Sequence, residues 1–282
     1  KKEIRVLLTR RFVTNQLEYV KAAKKHLRVK DFYDLLNRII IPSRSHGVIG
    51  GKASGLFLAG KILSSPRKED SLLKSIAVPK TWYLPSDALN HFIHYNNMDD
   101  IFEQKYKGLE EIRLEYPHII RLFKNSRFPP DLAQGLSMAL DDLGTNPIIV
   151  RSSSRLEDRF GSAFSGKYKS LFLANQGPKK ERLEKLLDAV AEVYSSLCGP
   201  DPLEYRAERG LLDVREEMGI IIQEVVGSRM GDYFLPAYAG IAFSSNEFLW
   251  SHRIKREDGL IRLVPGLGTR AVDRLSNDYP IL

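Results

Sequence analysis

The spacing of apolar residues changes along the chain, and this change restricts the fold more than any single motif does. Most of residues 98–143 repeat apolar side chains at helical spacing, whereas the last third holds short apolar runs at 219–226, 237–244, 247–252 and 260–264. Spacings of three and four residues are typical of one helix face, and short runs bounded by turns are typical of strands. Helices followed by hairpin-like strands predict a mixed α+β (α/β mixed) architecture.

Prolines and capping residues predict where elements begin and end. Because Pro79 cannot donate to a strand ladder, residues 78–84 are expected to form an edge strand, and Ser86 or Asp87 is expected to cap the next helix. We expect Pro117 to interrupt the helical stretch. The other predicted elements are strands at 147–150 and 169–174 and helices at 181–197 and 202–208.

The excess positive charge lies in one segment. The formal net charge is +8, yet residues 1–30 contain ten basic and two acidic residues while the other 252 residues contain 33 of each. Val13, Leu17, Val20 and Leu27 recur as on one helix face, so this segment is predicted to be a basic amphipathic helix. A solvated helix face is the simpler interpretation, and an arm for an acidic partner or membrane surface is the alternative. Few aromatic residues lie among the basic ones, which argues against a nucleic-acid partner.

The single cysteine, Cys198, excludes an internal disulfide and a zinc site built from cysteines. No apolar segment opens the chain, and no apolar stretch approaches the roughly eighteen residues of a membrane span. We therefore expect a cytoplasmic protein without a membrane span. The six histidines show no metal-ligand spacing, so the sequence identifies no metal-binding residue.

A glycine-rich loop, Gly50–Gly55, leads into a helical pattern and contains Lys52. Backbone N–H groups at a helix N-terminus favour an anion, and a lysine there adds a positive charge for phosphate. The loop is not a P-loop, because Ala53 follows the lysine where that motif has Ser or Thr. A glycine turn with a surface lysine is the alternative interpretation.

Arg151 directly follows the apolar strand at 147–150 and precedes three serines. An arginine at a strand end is held by the sheet and can present a forked donor to phosphate. Hydroxyls and glycine amides beyond it supply neutral donors. A salt bridge between Arg151 and Asp158 that closes a polar loop is the structural alternative, and it is compatible with phosphate binding.

Gln223 and Glu224 interrupt a third segment, the apolar strand around Ile221. Where such a strand emerges at a cleft, its backbone can bind an adenine edge while apolar side chains cover the ring. An ordinary strand leaving the core is the alternative.

A fourth segment, at 266–271, fits the residue pattern of a dinucleotide-binding fingerprint. However, the eleven residues after Ala271 are too few for the helix, strand and acidic residue which that fingerprint needs.

These four segments, in this order, resemble the N-terminal ATP-binding domain of the phosphoenolpyruvate synthase and pyruvate, phosphate dikinase family. The likeness covers about residues 41–275. The matching motifs are Gly50–Ala53, similar to the GGK loop; Val78-Pro79, similar to VP-x-GF; Val150–Ser154 with Glu157, Asp158 and Phe164–Gly166, similar to VRSS…ED…SFAG; Gln223–Val226, similar to VQ-x-MV; and Gly266–Gly268, similar to GLGE.

The resemblance implies a bilobal, ATP-grasp-like cleft with ATP and Mg²⁺ as cofactors. Residues 1–40 would be a basic helical extension, about 41–210 a helix-rich lobe and about 211–282 a strand-rich lobe. The resemblance also implies that Lys52 and Arg151 are catalytic and hold the triphosphate. The other cofactor-binding residues that it implies are Gly166 and Ser170 in a loop closing over the nucleotide, Gln223, Glu224 and Val226 at the adenine, and Gly268 in the GLGE-like loop.

The sequence departs from the family pattern at Thr269, which stands where the family usually has the acid of GLGE. The family's magnesium-binding acids would lie beyond Leu282, and its phosphohistidine motif and pyruvate-binding barrel do not occur in these 282 residues. We therefore expect an ATP domain cut short, from a phosphotransferase of several domains. By itself it is expected to be inactive, and its partners would be the phosphohistidine and pyruvate-binding domains of the parent protein.

The function that the resemblance implies is the supply of ATP phosphate, through a phosphohistidine on a separate domain, to pyruvate. Phosphotransferases acting on the antibiotic rifamycin and glucan, water dikinases share this ATP domain and are alternatives. An alternative of another class is a degenerate, non-catalytic binding module that uses the basic N-terminal helix.

Overall fold

The computed structural model describes residues 2–43, 45–64, 75–154, 166–214 and 216–266. The chain divides into two compact units, residues 1–225 and 226–282, and each is described by itself. Helices and strands are both present, which confirms the predicted mixed α+β class. Among the described residues, none of the helices combines the length and the apolar character needed to cross a bilayer.

Helices make up most of the first unit. Their bounds are α1 Lys2–Leu8, α2 Leu17–His26, α3 Val29–Leu36, α4 Gly51–Leu63, α5 Ala88–Tyr95, α6 Leu109–Asn125, α7 Pro130–Leu143, α8 Lys179–Ser195 and α9 Pro200–Glu208. A π-helical turn covers Thr9–Val13, and 3₁₀ turns cover Asp99–Tyr106 and Ser196–Cys198.

A four-stranded antiparallel sheet lies at the centre of the first unit. Its strands are β1 Thr81–Leu84, β2 Ile148–Ser154, β3 Ser170–Leu173 and β4 Met218–Glu224, in the spatial order β1-β4-β2-β3. β1 is an edge strand, as Pro79 predicts. In the register, Arg151 of β2 lies opposite Ile221 of β4 and Ser170 of β3.

Helices cover both faces of this sheet. Face A carries Ile148, Val150, Ile220 and Ile222, which join a large apolar core with side chains of α5 to α8. Face B carries Tyr83 and Ile221, together with Thr81, Ile149, Arg151 and Gln223 at the same-face positions of the register. A second, smaller core covers face B and includes Ala23, Phe32, Ala53 and Phe57 from α2, α3 and α4.

The basic N-terminal segment belongs to this second core. Val13, Ala23 and Leu27 are fully buried there, whereas Leu17 is 66% exposed. The prediction of one helix with Val13, Leu17, Val20 and Leu27 on a single face is wrong, because the chain leaves the helical path between the π turn and α2. Packing of the remaining apolar residues against α4 therefore sets the orientation of the segment.

Two other predicted features are wrong. Pro117 lies inside α6 rather than ending it, because Ile112 on one side and Ile119 and Phe123 on the other are buried on the helix's packed face. Burial of that face offsets the cost of about 3 kcal/mol that an internal proline imposes. Residues 247–252 form no strand; the side chain of Asn246 accepts a hydrogen bond from the Phe248 amide, so a local turn occupies the backbone.

The second unit consists of two hairpins in its described part. Strand β5, Ser228–Met230, pairs with β6, Tyr233–Leu235, and this hairpin was not predicted. Strand β7, Tyr238–Phe243, pairs with β8, Leu260–Pro265, near the predicted positions.

Candidate functional site

The glycine loop packs directly on strand β2. Gly50 has a φ of +85°, a conformation that side chains disfavour, and a Cβ atom there would lie 1.8 Å from the Ser153 carbonyl oxygen. Only glycine fits this position. The close approach joins the N-terminus of α4 to the sheet.

A hydrogen bond fixes the same contact. The Ser153 hydroxyl accepts a bond of 3.0 Å from the backbone N–H of Ala53, in the first turn of α4. Lys52, the neighbouring residue in that turn, is half-buried. Arg151 and Ser153 point to the same face of β2, and two residues of strand separate them by about 7 Å. Lys52 and Arg151 are therefore held in one region of face B.

Arg151 has an unusual environment for a cation. It is half-buried, its Nε atom is fully buried without a hydrogen-bond partner, and its side chain makes no ion pair within the described part of the chain. A buried N–H group without a partner costs about 1–3 kcal/mol. The sheet thus holds a half-buried guanidinium that makes no ion pair with the described residues, which suits an anionic ligand.

Asp87 forms hydrogen bonds with the residues that precede the glycine loop. Its carboxylate accepts hydrogen bonds from the Ser45 hydroxyl at 2.8 Å and from the backbone N–H groups of His46 at 2.7 Å and Gly47 at 2.9 Å. Asp87 is the N-cap residue of α5, in agreement with the prediction that Ser86 or Asp87 caps this helix, but its side chain makes no capping hydrogen bond. The Asp87 carboxylate is engaged by this loop, and the Ser86 hydroxyl donates to Glu217 and accepts from the Val48 amide instead.

The segment before β3 lies beside the same strand. Ser170 is exposed and opposite Arg151 in the register, and Gly166 has a φ of +82°, which permits a sharp turn. Between them, Tyr168 is buried, and Lys169 pairs with Glu192 of α8 at 2.9 Å. The structure therefore brings Ser170 to Arg151 and anchors the segment that carries it.

Gln223 and Glu224 point to opposite faces of β4. The Gln223 amide on face B donates a bond of 2.8 Å to the Thr81 hydroxyl, whereas the Glu224 carboxylate accepts a bond from the Asn146 amide. The structure thus places Gln223, but not the Glu224 side chain, on the face that carries Arg151. Val226 is 65% exposed and belongs to the second unit, and Gly268 lies outside the described residues.

The Tyr83 phenol is a neutral polar group on face B. Burial raises the pKa of Tyr83 to about 12, an effect that Arg38 and the Thr81 hydroxyl partly offset, so the phenol is neutral near pH 7. Within the described ranges, no group of three or more His, Cys, Asp or Glu side chains is arranged to hold a metal ion. Arg151 and Lys52 contribute cationic character to this region, and Arg38 lies close enough to Tyr83 to affect its pKa.

Sequence reasoning missed two residues that build the site. Ser153 and Asp87 hold the glycine loop, but neither was assigned a role in it. The signal for Ser153 was present as a hydroxyl two residues after Arg151 on the same strand face. No local signal pairs Asp87 with the loop, because about 40 residues separate them.

Comparison with known proteins shows similarity to a protein family and to a curated protein. Residues 46–282 match the family described as pyruvate phosphate dikinase, AMP/ATP-binding domain. The chain is also similar to a probable phosphoenolpyruvate synthase of Methanocaldococcus jannaschii, with 24% identity over 182 residues. That match covers 61% of this chain and 14% of the archaeal protein, so the chain corresponds to a small part of that relative's length.

Proposed function

Because the chain belongs to the pyruvate phosphate dikinase AMP/ATP-binding domain family, we propose that it binds ATP over face B, with the triphosphate between Lys52 and Arg151. The observation that carries this proposal is the half-buried Arg151 guanidinium, which makes no ion pair within the described part of the chain, on the strand that contacts the helix N-terminus containing Lys52. A guanidinium and a helix N-terminus both favour phosphate oxygens.

Each residue has a distinct part in this proposal. Arg151 gives a fixed, forked donor because the sheet holds its backbone, and Lys52 gives a more adaptable charge. The first turn of α4 adds the positive end of a 13-residue helix. Bound ATP supplies the phosphoryl group, and groups that are already oriented stabilise charge on its oxygens without rearranging.

The described residues fit a magnesium ion only as a companion of the nucleotide. Mg²⁺ commonly binds through one or two carboxylates together with substrate phosphates and water, so it does not need a site made entirely of protein groups. We propose that Mg²⁺ enters with ATP. We assign no metal-binding residue to this chain.

The other family positions complete the proposed site. Gly166 and Ser170 would form the segment over the nucleotide, and Ser170 lies opposite Arg151 in the register, which supports its part. Gln223, Glu224 and Val226 would be at the adenine, where Glu224 would act through its backbone because its side chain points to face A. Gly268 completes the set by resemblance alone.

The family consists of phosphotransferases, and the reaction that we propose for the parent protein is that of a phosphoenolpyruvate synthase. The ATP phosphate would pass through a phosphohistidine on a separate domain to pyruvate, in an ATP-grasp-like arrangement and in the cytoplasm. The similarity to a probable phosphoenolpyruvate synthase supports pyruvate as the acceptor. Rifamycin and glucan acceptors are alternatives that this domain does not distinguish.

The structure gives less support to a binding module that uses the basic N-terminal segment. Arg5 donates to the Leu27 carbonyl oxygen at 3.0 Å and Arg11 to that of Ser45 at 2.6 Å, so two of its cations bind the chain itself. The Tyr19 hydroxyl also donates to the Ser54 carbonyl oxygen of α4 at 2.8 Å. These contacts indicate a structural part of the domain.

Calorimetric titration of the chain with ATP and magnesium tests the proposal. We expect Arg151→Ala to weaken binding about 10- to 100-fold, since a charged hydrogen bond contributes about 1.5–3 kcal/mol, and Lys52→Ala to weaken it by about tenfold. Lys61→Ala, at the other end of α4, and Arg113→Ala, at an exposed position of α6, are matched controls that should leave binding unchanged. Absence of binding by the unaltered chain, or equal affinity in all four variants, would contradict the proposal.

A further inference from the structure

The basic N-terminal segment contacts the glycine loop although it lies outside the region that matches the family. The match covers residues 46–282, whereas the π-helical turn Thr9–Val13 and α2 precede it. The backbone N–H of Ile49 donates a bond of 3.0 Å to the Phe12 carbonyl oxygen of that turn. Ile49 is 0% exposed, so water could not replace this acceptor. The segment therefore satisfies a buried backbone group directly before Gly50.

Two side chains of the segment bind the chain on either side of Gly50–Ala53, the part of the loop that contains Lys52. Arg11 donates a bond of 2.6 Å to the Ser45 carbonyl oxygen, before the loop. The Tyr19 hydroxyl donates a bond of 2.8 Å to the Ser54 carbonyl oxygen, in the first turn of α4. Burial raises the pKa of Tyr19, so its hydroxyl keeps the proton that it donates.

Apolar packing supports the same contact. Val13 and Ala23 of the segment and Ala53 of α4 are each fully buried in the second core. The N–H of Ala53 also donates to the hydroxyl of Ser153, on the strand that carries Arg151. Both the sheet and the N-terminal segment therefore hold the first turn of α4.

Order in this loop matters for a ligand that binds backbone N–H groups. A loop with several glycines has many backbone conformations, and ordering it only when the ligand arrives lowers the affinity. Phosphate binding at a helix N-terminus needs the N–H groups to point at the ligand. The bonds to Phe12, Arg11 and Tyr19 fix the loop before any ligand enters.

We propose that Arg11 and Tyr19 are positioning residues of the ATP site, which hold the glycine loop so that Lys52 and the N-terminus of α4 face the phosphates. This inference rests on the proposed ATP site. The two side chains act through the carbonyl groups of Ser45 and Ser54 rather than through the nucleotide. The N-terminal segment is then a functional part of the nucleotide site, although it precedes the family match.

Amide hydrogen exchange of the full chain without nucleotide tests the order of the loop. The N–H groups of Ile49, Ala53 and Ser54 each have an acceptor within the contact, namely the Phe12 carbonyl, the Ser153 hydroxyl and the Gly50 carbonyl. We expect Arg11→Met and Tyr19→Phe to speed the exchange of these three amides about three- to tenfold, since each variant loses one hydrogen bond that fixes the loop.

Two control variants lose the same kind of bond elsewhere. Arg5→Met removes the bond to the Leu27 carbonyl oxygen within the N-terminal segment, and Tyr116→Phe removes a bond between α6 and Ser195 of α8. We expect the controls to lower the midpoint of urea unfolding as much as the two positioning variants do. At equal midpoints, the three loop amides should exchange faster in the positioning variants than in the controls.

Calorimetric titration with ATP and magnesium measures the consequence for binding. We expect Arg11→Met and Tyr19→Phe each to bind ATP about three- to tenfold more weakly, whereas the controls bind it like the unaltered chain. Exchange no faster than in the controls, or faster exchange with an unaltered ATP affinity, would overturn the proposal. Absence of ATP binding by the unaltered chain would instead contradict the proposed ATP site, and the exchange data would still decide whether the segment orders the loop.

Discussion

Charged side chains on the two faces of the central sheet differ in whether they have partners. At the rim of face A, Glu192 is paired with Lys169 at 2.9 Å and with Lys124 at 3.4 Å, above a large apolar core. On face B, Arg151 keeps a buried donor without a partner, beside a smaller core. Stability alone favours the arrangement of face A, because an unmatched buried donor is costly. This contrast supports the proposal that an anionic ligand binds over face B.

The largest effect is expected where face B meets the glycine loop. Gly50→Ala would place a methyl group 1.8 Å from the Ser153 carbonyl oxygen at a φ of +85°, so it should lower the free energy of unfolding by more than about 4 kcal/mol. Gly55→Ala, in the same helix with no atom within 4 Å, should instead raise it by about 0.5–1 kcal/mol. Urea unfolding measures both, and similar values for the two variants would show that the contact is not fixed.

The next comparison concerns buried side chains in the segments that pack against the two faces of the sheet. Leu27 lies before the family match, yet it is fully buried against face B, as Leu136 of α7 is against face A. We expect Leu27→Ala and Leu136→Ala each to lower the free energy of unfolding by about 3 kcal/mol, since both remove a fully buried side chain. If Leu27→Ala cost less than about 0.5 kcal/mol, the N-terminal segment would be a loose addition and face B would be covered differently.

The smallest effect is expected for the ion pairs of Glu192 at the rim of face A. Burial raises the pKa of Glu192, but bonds from Lys169 and Lys124 outweigh it and hold the pKa below its usual 4.5. The charged form is therefore favoured in the folded state, so this contribution is present above about pH 4.5 and is lost as the pH falls through the lowered value.

Glu192→Gln should remove that part of the pH dependence and cost less than about 1 kcal/mol at pH 7, because the pair is partly exposed. Unfolding curves between pH 3 and pH 7 measure it, with Glu110→Gln in an exposed ion pair as the control. A pH dependence that is unchanged in Glu192→Gln would contradict the assignment.

Features of the fold that depend on local pattern could be predicted from the sequence. The apolar runs at β2 and β4 are short and bounded by turns, and Pro79 places β1 at an edge. Features that depend on packing could not be predicted. Pro117 continues α6 because of burial on both sides of it, and Leu17 differs from Val13 because the chain bends between them.

The candidate site also combines features that could be predicted from the sequence with features that could not. Residue type and position make Lys52 and Arg151 candidates, and the two-residue period of a strand puts Gln223 and Glu224 on opposite faces. The contact that unites Lys52 with Arg151 runs through Ser153 and joins residues 100 positions apart, which no local pattern indicates. The ligand roles of all the site residues named from the sequence stay predictions: Lys52, Arg151, Gly166, Ser170, Gln223, Glu224, Val226 and Gly268.

The position of β4 has a consequence for biosynthesis. It lies between β1 and β2, although it is the last of the four strands to be synthesised, and the paired residues Thr81 and Gln223 are 142 positions apart. At roughly 5–20 residues per second, β1 waits about 7–28 s after leaving the ribosome for β4, its neighbour in the described sheet. During that time its hydrogen-bonding edge and both apolar cores are incomplete. We therefore expect the rate of translation, and any chaperone that covers β1 meanwhile, to influence how face B assembles.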